Sequence, residues 1–374
     1  MLGDIRLDKI RILTFWNVPN YGTFMQAYAL QKVMADRYPN CDVKQLSYLH
    51  KKHFDIYYSI NTNFRYWPIN PQFYKSLINQ LLNWREIKCI REFLDYYHAI
   101  PHVSLHGRKD SGKEAIDLLV LGSDILWDYT IDFFGKDQHL FGLQMDAKRK
   151  ISYAASFGTA LAENGYPEYV KTGLLELNDI SVREEKSKKI VKQISDRDAQ
   201  IVLDPTFLWD FNTDLNIVKP KIKGDYVIVY GSSFSQELID GARAYCQKNN
   251  LKLVCLNSLH DKFDWCDITI NQNELDPFEW AGYFKYADAV MTCTFHGLIF
   301  GLIFNKRLAF HPTAFIMHKA ASIIETFGLN DVLINFTSFE EKVEWEWDYS
   351  VINRKIEEAK AVSLEFLDRN VNHE

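Results

Sequence analysis

Six cysteines are spread through the 374 residues, at Cys41, Cys89, Cys246, Cys255, Cys266 and Cys293, with no C-x-x-C pair and no zinc spacing among them. That scatter excludes a disulfide framework and a thiolate metal centre, and reduced, mostly buried thiols point to a cytoplasmic protein. No apolar run approaches the ~20 residues that cross a bilayer. The first residues, Met-Leu-Gly-Asp-Ile-Arg, lack the apolar stretch of a signal peptide. The G-x-G-x-x-G fingerprint of dinucleotide sites is absent. Positive charge is not in excess: 43 Lys and Arg stand against 49 Asp and Glu, a net charge of −6. General attraction to nucleic acid is therefore excluded, and any anionic ligand must be held by local cations or helix ends. Repeats and low-complexity tracts are missing as well.

What is present is an ordinary globular composition, 47% hydrophobic and 14% aromatic, long enough for two domains. Short apolar strands alternate with helical periodicity. Strands are expected at residues 10–15, 42–46, 115–121, 150–154, 180–182 and 201–203. After the polar junction Lys219-Pro220-Lys221-Ile222-Lys223-Gly224, further strands are expected at 226–230, 251–256, 287–292 and 308–310. Helices are expected from residue 24 to about Arg37, from Gln236 to Lys248, from Lys319 to Phe327 and over 350–370. The pattern predicts an α/β protein with two Rossmann-like parallel-sheet domains facing a cleft. Residues 1–215 form the first domain in this reading, 222–345 the second, and 346–374 a terminal helix that could return to the first. The aromatic, basic stretch 50–80 reads as an insertion over a substrate cleft, with self-association as its alternative.

Ligands of open α/β sheets sit at the carboxyl ends of strands, so the turns there are the candidate site. The stretch Ala289 to Lys306 reads as a strand, a turn through Cys293 and Thr294, and a buried helix opening at His296-Gly297. An imidazole is thus expected at a helix start, where anions are favoured; the ordinary alternative is a capping or core histidine. Asn20 and Gly22 mark the first strand-to-helix turn, and Ser123 and Asp124 another, with Trp127 as a ring that could stack on a sugar or sit in the core. Ser232 follows a strand of the second half. Arg183, at a strand end, carries the planar fork suited to carboxylate or phosphate, unless it pairs with Glu184 or Glu185.

Together these turns resemble the polysaccharide pyruvyl transferase family. The matching stretches, in order, are Asn20-Tyr21-Gly22-Thr23 with Gln26 to Leu30, Gly122-Ser123-Asp124 with Trp127, and Tyr153 to Gly158. Ser181-Val182-Arg183-Glu184, Val202 to Thr206, and Phe295-His296-Gly297 running into Phe304-Asn305-Lys306 complete the set. The resemblance implies a GT-B-like fold and a transferase moving pyruvate from phosphoenolpyruvate onto a sugar diol as a ketal. The acceptor it implies is a glycan or lipid-linked sugar in polysaccharide biosynthesis. It implies His296 as general acid and Arg183 as donor clamp, with Lys319 a second cation and Thr294 and Gly297 at the phosphate. The scheme needs no cofactor and no metal. It leaves peripheral membrane association and a homo-oligomer open. The chain departs from the family at Cys293 and Thr294, where an acidic residue and a serine are usual. It departs again at Ile125, where Gln often stands, and at Lys319, where relatives tend to carry arginine. Two other readings remain: a nucleotide-sugar glycosyltransferase with the same two domains, and a non-catalytic relative.

Overall fold

In the computed structural model, residues 7–54, 96–104, 115–134, 136–257, 263–271 and 274–372 are described, with isolated residues 56, 74, 77, 78 and 84 besides. The expected insertion at 50–80 therefore lies outside the described residues except for 50–54, 56, 74, 77 and 78.

The first sheet is built from β1 (Lys9–Leu13), β2 (Asp42–Ser47), β3 (His102–Ser104), β4 (Ile116–Gly122), β5 (Ala147–Ala155), β6 (Asp179–Val182) and β7 (Gln200–Ile201). Their order is β3-β2-β1-β4-β5-β6-β7, and every pairing is parallel. Parallel sheets are covered on both faces, and β4 is accordingly buried at each of its positions. Alternation along the strands sorts the core into two layers. Ile10, Ile12, Leu118 and Val120 point to one face, where Phe366, Leu367 and Val371 pack. Leu13, Leu119 and Leu121 point to the other, with Trp127, Phe141 and Phe157. Among the described residues, the helices that accompany this sheet include α1 (Tyr21–Arg37), α2 (Glu168–Glu176) and α3 (Glu185–Ser195).

The second sheet holds β8 (Tyr226–Tyr230), β9 (Lys252–Asn257), β10 (Ile268–Asn271), β11 (Ala289–Thr292) and β12 (Arg307–Phe310), in the parallel order β10-β9-β8-β11-β12. Helices α4 (Gln236–Asn249), α5 (Pro277–Lys285), α6 (Phe295–Ile303), α7 (Ala314–Phe327) and α8 (Phe339–Glu344) accompany it. The last helix, α9 (Tyr349–Val371), begins in this part of the chain.

The chain divides into two compact units, Met1–Trp209 with Lys360–Glu374, and Asp210–Ala359. Both are Rossmann-like parallel α/β structures, the architecture the sequence led us to expect. The boundary differs from the expected 215–222. Phe211 is fully buried and its ring packs on Phe300 at 5.1 Å, and the Val218 carbonyl lies against Gly282 so closely that a Cβ there would stand 2.2 Å from it. Packing thus draws 210–221 into the second unit, although the polar junction reads as a linker. The second unit also extends past 345, to Ala359. From Lys360 onward α9 belongs to the first unit. There Ser363 Oγ accepts from Leu203 N at 2.9 Å and Asp368 pairs with Arg37.

In each sheet the strand order reverses once beside its first strand: between β1 and β4, and between β8 and β11. Those are the switch points where ligands of such sheets enter. The edge strands β3 and β10 have no counterpart in the sequence reading; they are short and carry no unbroken apolar run.

One charge is buried away from either edge. Lys342, on α8, is 3% exposed and its Nζ donates to the Val332 and Leu333 carbonyls at 3.3 and 3.1 Å. Burial pushes this ammonium down from 10.5 to about 8. Below that range both folded and unfolded chains carry the proton; between pH 8 and 10.5 only the unfolded chain does. Stability therefore rises with pH through this window, by at most about 1.4 kcal/mol per unit. Chemical denaturation of the wild type and Lys342→Met, compared across the window, should show the rise in the wild type and its loss in the variant.

Candidate active site

At the β1/β4 switch point the backbone is held in an uncommon conformation. Ser123 and Asp124 follow β4 with φ of 49° and 69°, in the left-handed region that non-glycine residues seldom occupy. Ser123 N donates to the Tyr153 carbonyl at 2.6 Å and Ser156 N to the Asp124 carbonyl at 3.0 Å, which locks the turn onto the end of β5. Asp124 Oδ2 accepts from Thr23 Oγ1 at 3.0 Å. Asn20 caps α1, its side chain accepting from Thr23 N at 3.0 Å, and Gly22 is buried in the first turn. Asn20, Gly22, Ser123 and Asp124 are thus brought together. Ser123 Oγ is buried there and has no hydrogen-bond partner.

The motif glutamines bind helix to strand. Gln26 Nε2 donates to the Phe15 and Thr23 carbonyls at 3.0 and 2.9 Å, and Gln31 Nε2 to the Val43 carbonyl at 2.6 Å. Gly158 is required by Asp128: a Cβ at this position, with φ of 54°, would lie 2.4 Å from the carboxylate.

Two expectations about the first unit are corrected. Trp127 has no exposed surface; its Nε1 donates to the Leu140 carbonyl at 3.0 Å and its ring stacks on Phe141. A ring sealed in the core offers no face to a sugar. Arg183, whose side chain is 1% exposed, pairs with Asp204 at 3.0 Å and lies 3.6 Å from Glu184. Burial alone would push its guanidinium down, but Asp204, Glu184 and Asp124 outweigh burial and raise it. The arginine is the centre of an internal ion cluster, not an open clamp. Its main partner, Asp204, lies 21 residues away and was missed because only the fold brings it close. Asp204 also caps the turn Pro205–Phe207.

His53 is a neighbour that sequence reasoning passed over. It is 3% exposed, with Phe15, Phe134 and Phe133 at 4.8, 5.1 and 5.3 Å between ring centroids. Burial pushes it down to about 4 despite the nearby Asp124 charge, so it is a neutral imidazole at neutral pH.

The second switch point centres on His296, in the first turn of α6. Thr294 caps this helix, its Oγ1 accepting from Gly297 N at 3.0 Å. Thr292 Oγ1 ties the turn to β8 by donating to the Tyr230 carbonyl at 2.8 Å. Threonine at 294 therefore keeps the cap hydroxyl that serine would supply. Cys293 is buried; Ser233 N donates to its sulfur at 3.4 Å, and a Cβ at Gly231 would stand 2.3 Å from that sulfur. Ser232 is exposed beside this turn. Ser232, Thr294, His296 and Gly297 thus share one edge. His311 N donates to the Thr292 carbonyl at 2.9 Å, which brings the chain leading into α7 alongside. Lys319 stands on α7 with its ammonium 4.8 Å from the Phe315 ring centre.

The described residues contain no group of three or more His, Cys, Asp or Glu suited to a metal, and none of the described helices is long and apolar enough to cross a membrane.

A Cβ at Gly297 would sit 2.1 Å from Thr292 Oγ1 and 2.7 Å from Thr294 Oγ1. Both hydroxyls are fixed by hydrogen bonds, so Gly297→Ala has nowhere to expand. Urea unfolding should show a loss of about 1–3 kcal/mol, the usual cost of overpacking.

Comparison with known proteins gives one family and one fold. Two solved structures resemble the chain over nearly its whole length. One is a UDP-N-acetylglucosamine 2-epimerase assignment from Listeria monocytogenes, with TM-score 0.52, 10% identity, and 99% and 98% of the two chains covered. The other is S. aureus MnaA solved with UDP, with TM-score 0.50, 11% identity, and 98% and 97% covered. At such identity the likeness is one of fold. No curated protein matched the chain. The family model for polysaccharide pyruvyl transferase matches residues 20–310, a span that contains both switch-point turns. The chain belongs to the polysaccharide pyruvyl transferase family and is by that membership a transferase.

Proposed function

We propose that the protein transfers pyruvate from phosphoenolpyruvate to two hydroxyls of a sugar in a polysaccharide or its precursor, releasing phosphate and leaving a cyclic ketal. The observation that carries this reading is His296 in the first turn of α6, on a capped, rigid turn. Helix starts favour anions, and the turn from Thr292 to Gly297 contributes no carboxylate of its own. Cysteine in place of the family's usual acid removes a negative charge that would oppose a phosphate and a carboxylate.

The chemistry asks for a proton at C3 of the enol as an acceptor oxygen bonds to C2. The C2–O bond to phosphate then breaks, and the second hydroxyl oxygen takes its place. Two hydroxyl protons are released; one is balanced by the proton gained at C3, the other leaves with phosphate. An imidazole suits the C3 protonation because it exchanges protons near neutrality. Arg183 has its part in holding the first unit's edge.

Thermal unfolding tests the donor. Phosphoenolpyruvate at ~100 times its dissociation constant should stabilise the protein by about 2.7 kcal/mol, several degrees in Tm. His296→Gln should abolish phosphate release from donor and acceptor while leaving the unliganded Tm nearly unchanged. Stabilisation by UDP-N-acetylglucosamine with none by phosphoenolpyruvate would overturn the proposal in favour of a glycosyltransferase.

A further inference from the structure

One face of the second unit joins exposed apolar side chains to unpaired positive charge, and the proposed transfer does not use it. Between Phe211, whose ring packs on Phe300, and the start of β8 the chain runs Leu215-Asn216-Ile217-Val218-Lys219-Pro220-Lys221-Ile222-Lys223-Gly224, without a carboxylate. Leu215 is 95% exposed and Val218 51%. Local bonds give this segment its shape. Asp214 is buried, and its carboxylate accepts from Asn216 N and Nδ2 at 3.0 and 2.9 Å. Ile217 N donates to the Asp214 carbonyl at 3.2 Å, and the Ile217 side chain is buried. The turn thus anchors both of its ends inward and presents Leu215 to the outside, where its apolar surface stays in water.

Lysines surround these side chains. Lys219, Lys221 and Lys223 are exposed, and no carboxylate of the described residues pairs with them. Tyr286, which follows α5, is 39% exposed. The Lys219 ammonium stands 5.7 Å from its ring centre and the Lys285 ammonium 5.8 Å. Lys285 Nζ also donates to the Asn212 carbonyl at 2.8 Å, and Lys252 Nζ to the Lys223 carbonyl at 2.8 Å. These contacts tie the segment to the end of α5 and the start of β9, so the lysines share one face. It is the amino-terminal edge of the second sheet, where Tyr226 pairs with Lys252 and Val227 with Ala289. The His296 turn stands at the opposite, carboxyl edge of the same sheet.

We propose that this face docks on the surface of a bilayer carrying anionic phospholipids. Leu215 and Val218 enter the boundary between headgroups and acyl chains, the lysines meet lipid phosphates, and the Tyr286 ring lies at headgroup depth. Charge selects this occupant. The chain as a whole is acidic, at −6, so the local excess of lysine, not the net charge, is what an anionic surface attracts. A nucleic acid offers phosphates but no apolar layer for Leu215, and the segment holds no arginine, the usual cation of nucleic-acid recognition. Two-fold pairing with a second copy would set the same lysines against each other. Docking here leaves the carboxyl edge of the sheet uncovered. The proposal stands independently of the donor substrate.

The test uses the full chain and sedimented vesicles of phosphatidylcholine, alone or mixed with phosphatidylglycerol. The protein should bind the mixed vesicles, leave them as salt is raised, and ignore phosphatidylcholine alone. Replacing Lys219, Lys221 and Lys223 by glutamine should weaken binding about five-fold per lysine. Leu215→Ser should weaken it about tenfold with the salt dependence and Tm unchanged, because the side chain is 95% exposed. Leu215→Trp should strengthen it, since an indole settles at the interface. No binding to mixed vesicles, or binding that none of these substitutions alters, would overturn the proposal. Absence of vesicle binding together with a dimer that Leu215→Ser dissociates would reassign the face to a second copy. Absence of vesicle binding together with a duplex-DNA affinity that the lysine substitutions lower would reassign it to nucleic acid.

Discussion

A parallel sheet brings all its strands to an end on the same edge, and every polar group at that edge must be satisfied or exposed. Much of this protein answers that constraint. In the first unit Asp124 holds Thr23, Asp204 holds Arg183, and Gln26 holds the carbonyls at the head of α1. In the second, Thr292 and Thr294 do the same with two hydroxyls. An edge tied down in this way is rigid, Ser123 Oγ excepted from its bonding, and rigidity lets a side chain such as His296 keep one position. A buried guanidinium is costly to leave unpaired, which is why Arg183, although central to a family motif, serves the edge before any ligand.

The two edges differ in charge. Asp124, Asp137, Glu184 and Asp204 stand with Arg183 in the first unit. At the second, the turn into α6 has an imidazole, a helix start and no carboxylate between Thr292 and Gly297. A helix start without carboxylates favours an anion. Threonine at 294 caps the helix there.

Much of the architecture was legible in the sequence. Unbroken apolar runs such as Leu118–Gly122 and Tyr226–Tyr230 announce strands buried on both faces, and the small-residue turns after them announce the edges. The domain boundary was not legible, because Phe211 is a polar-flanked residue whose burial depends on Phe300, and the backbone at Val218 is held by its close approach to Gly282. Trp127 shows the limit for a single side chain: its position after Gly-Ser-Asp suggests a ligand face, but the turn's left-handed backbone directs the chain inward to Leu140 and Phe157. Arg183–Asp204 escaped for the same reason, since its members, 21 residues apart, meet only across strands.

The most direct test of the account is a crystal structure of the protein grown with phosphoenolpyruvate. The account predicts the donor phosphate at the start of α6, within hydrogen-bonding distance of His296 and the adjoining turn. A phosphate lodged instead at the start of α1 or against Arg183 would contradict it, and the assignment of donor chemistry to the His296 turn would have to be abandoned.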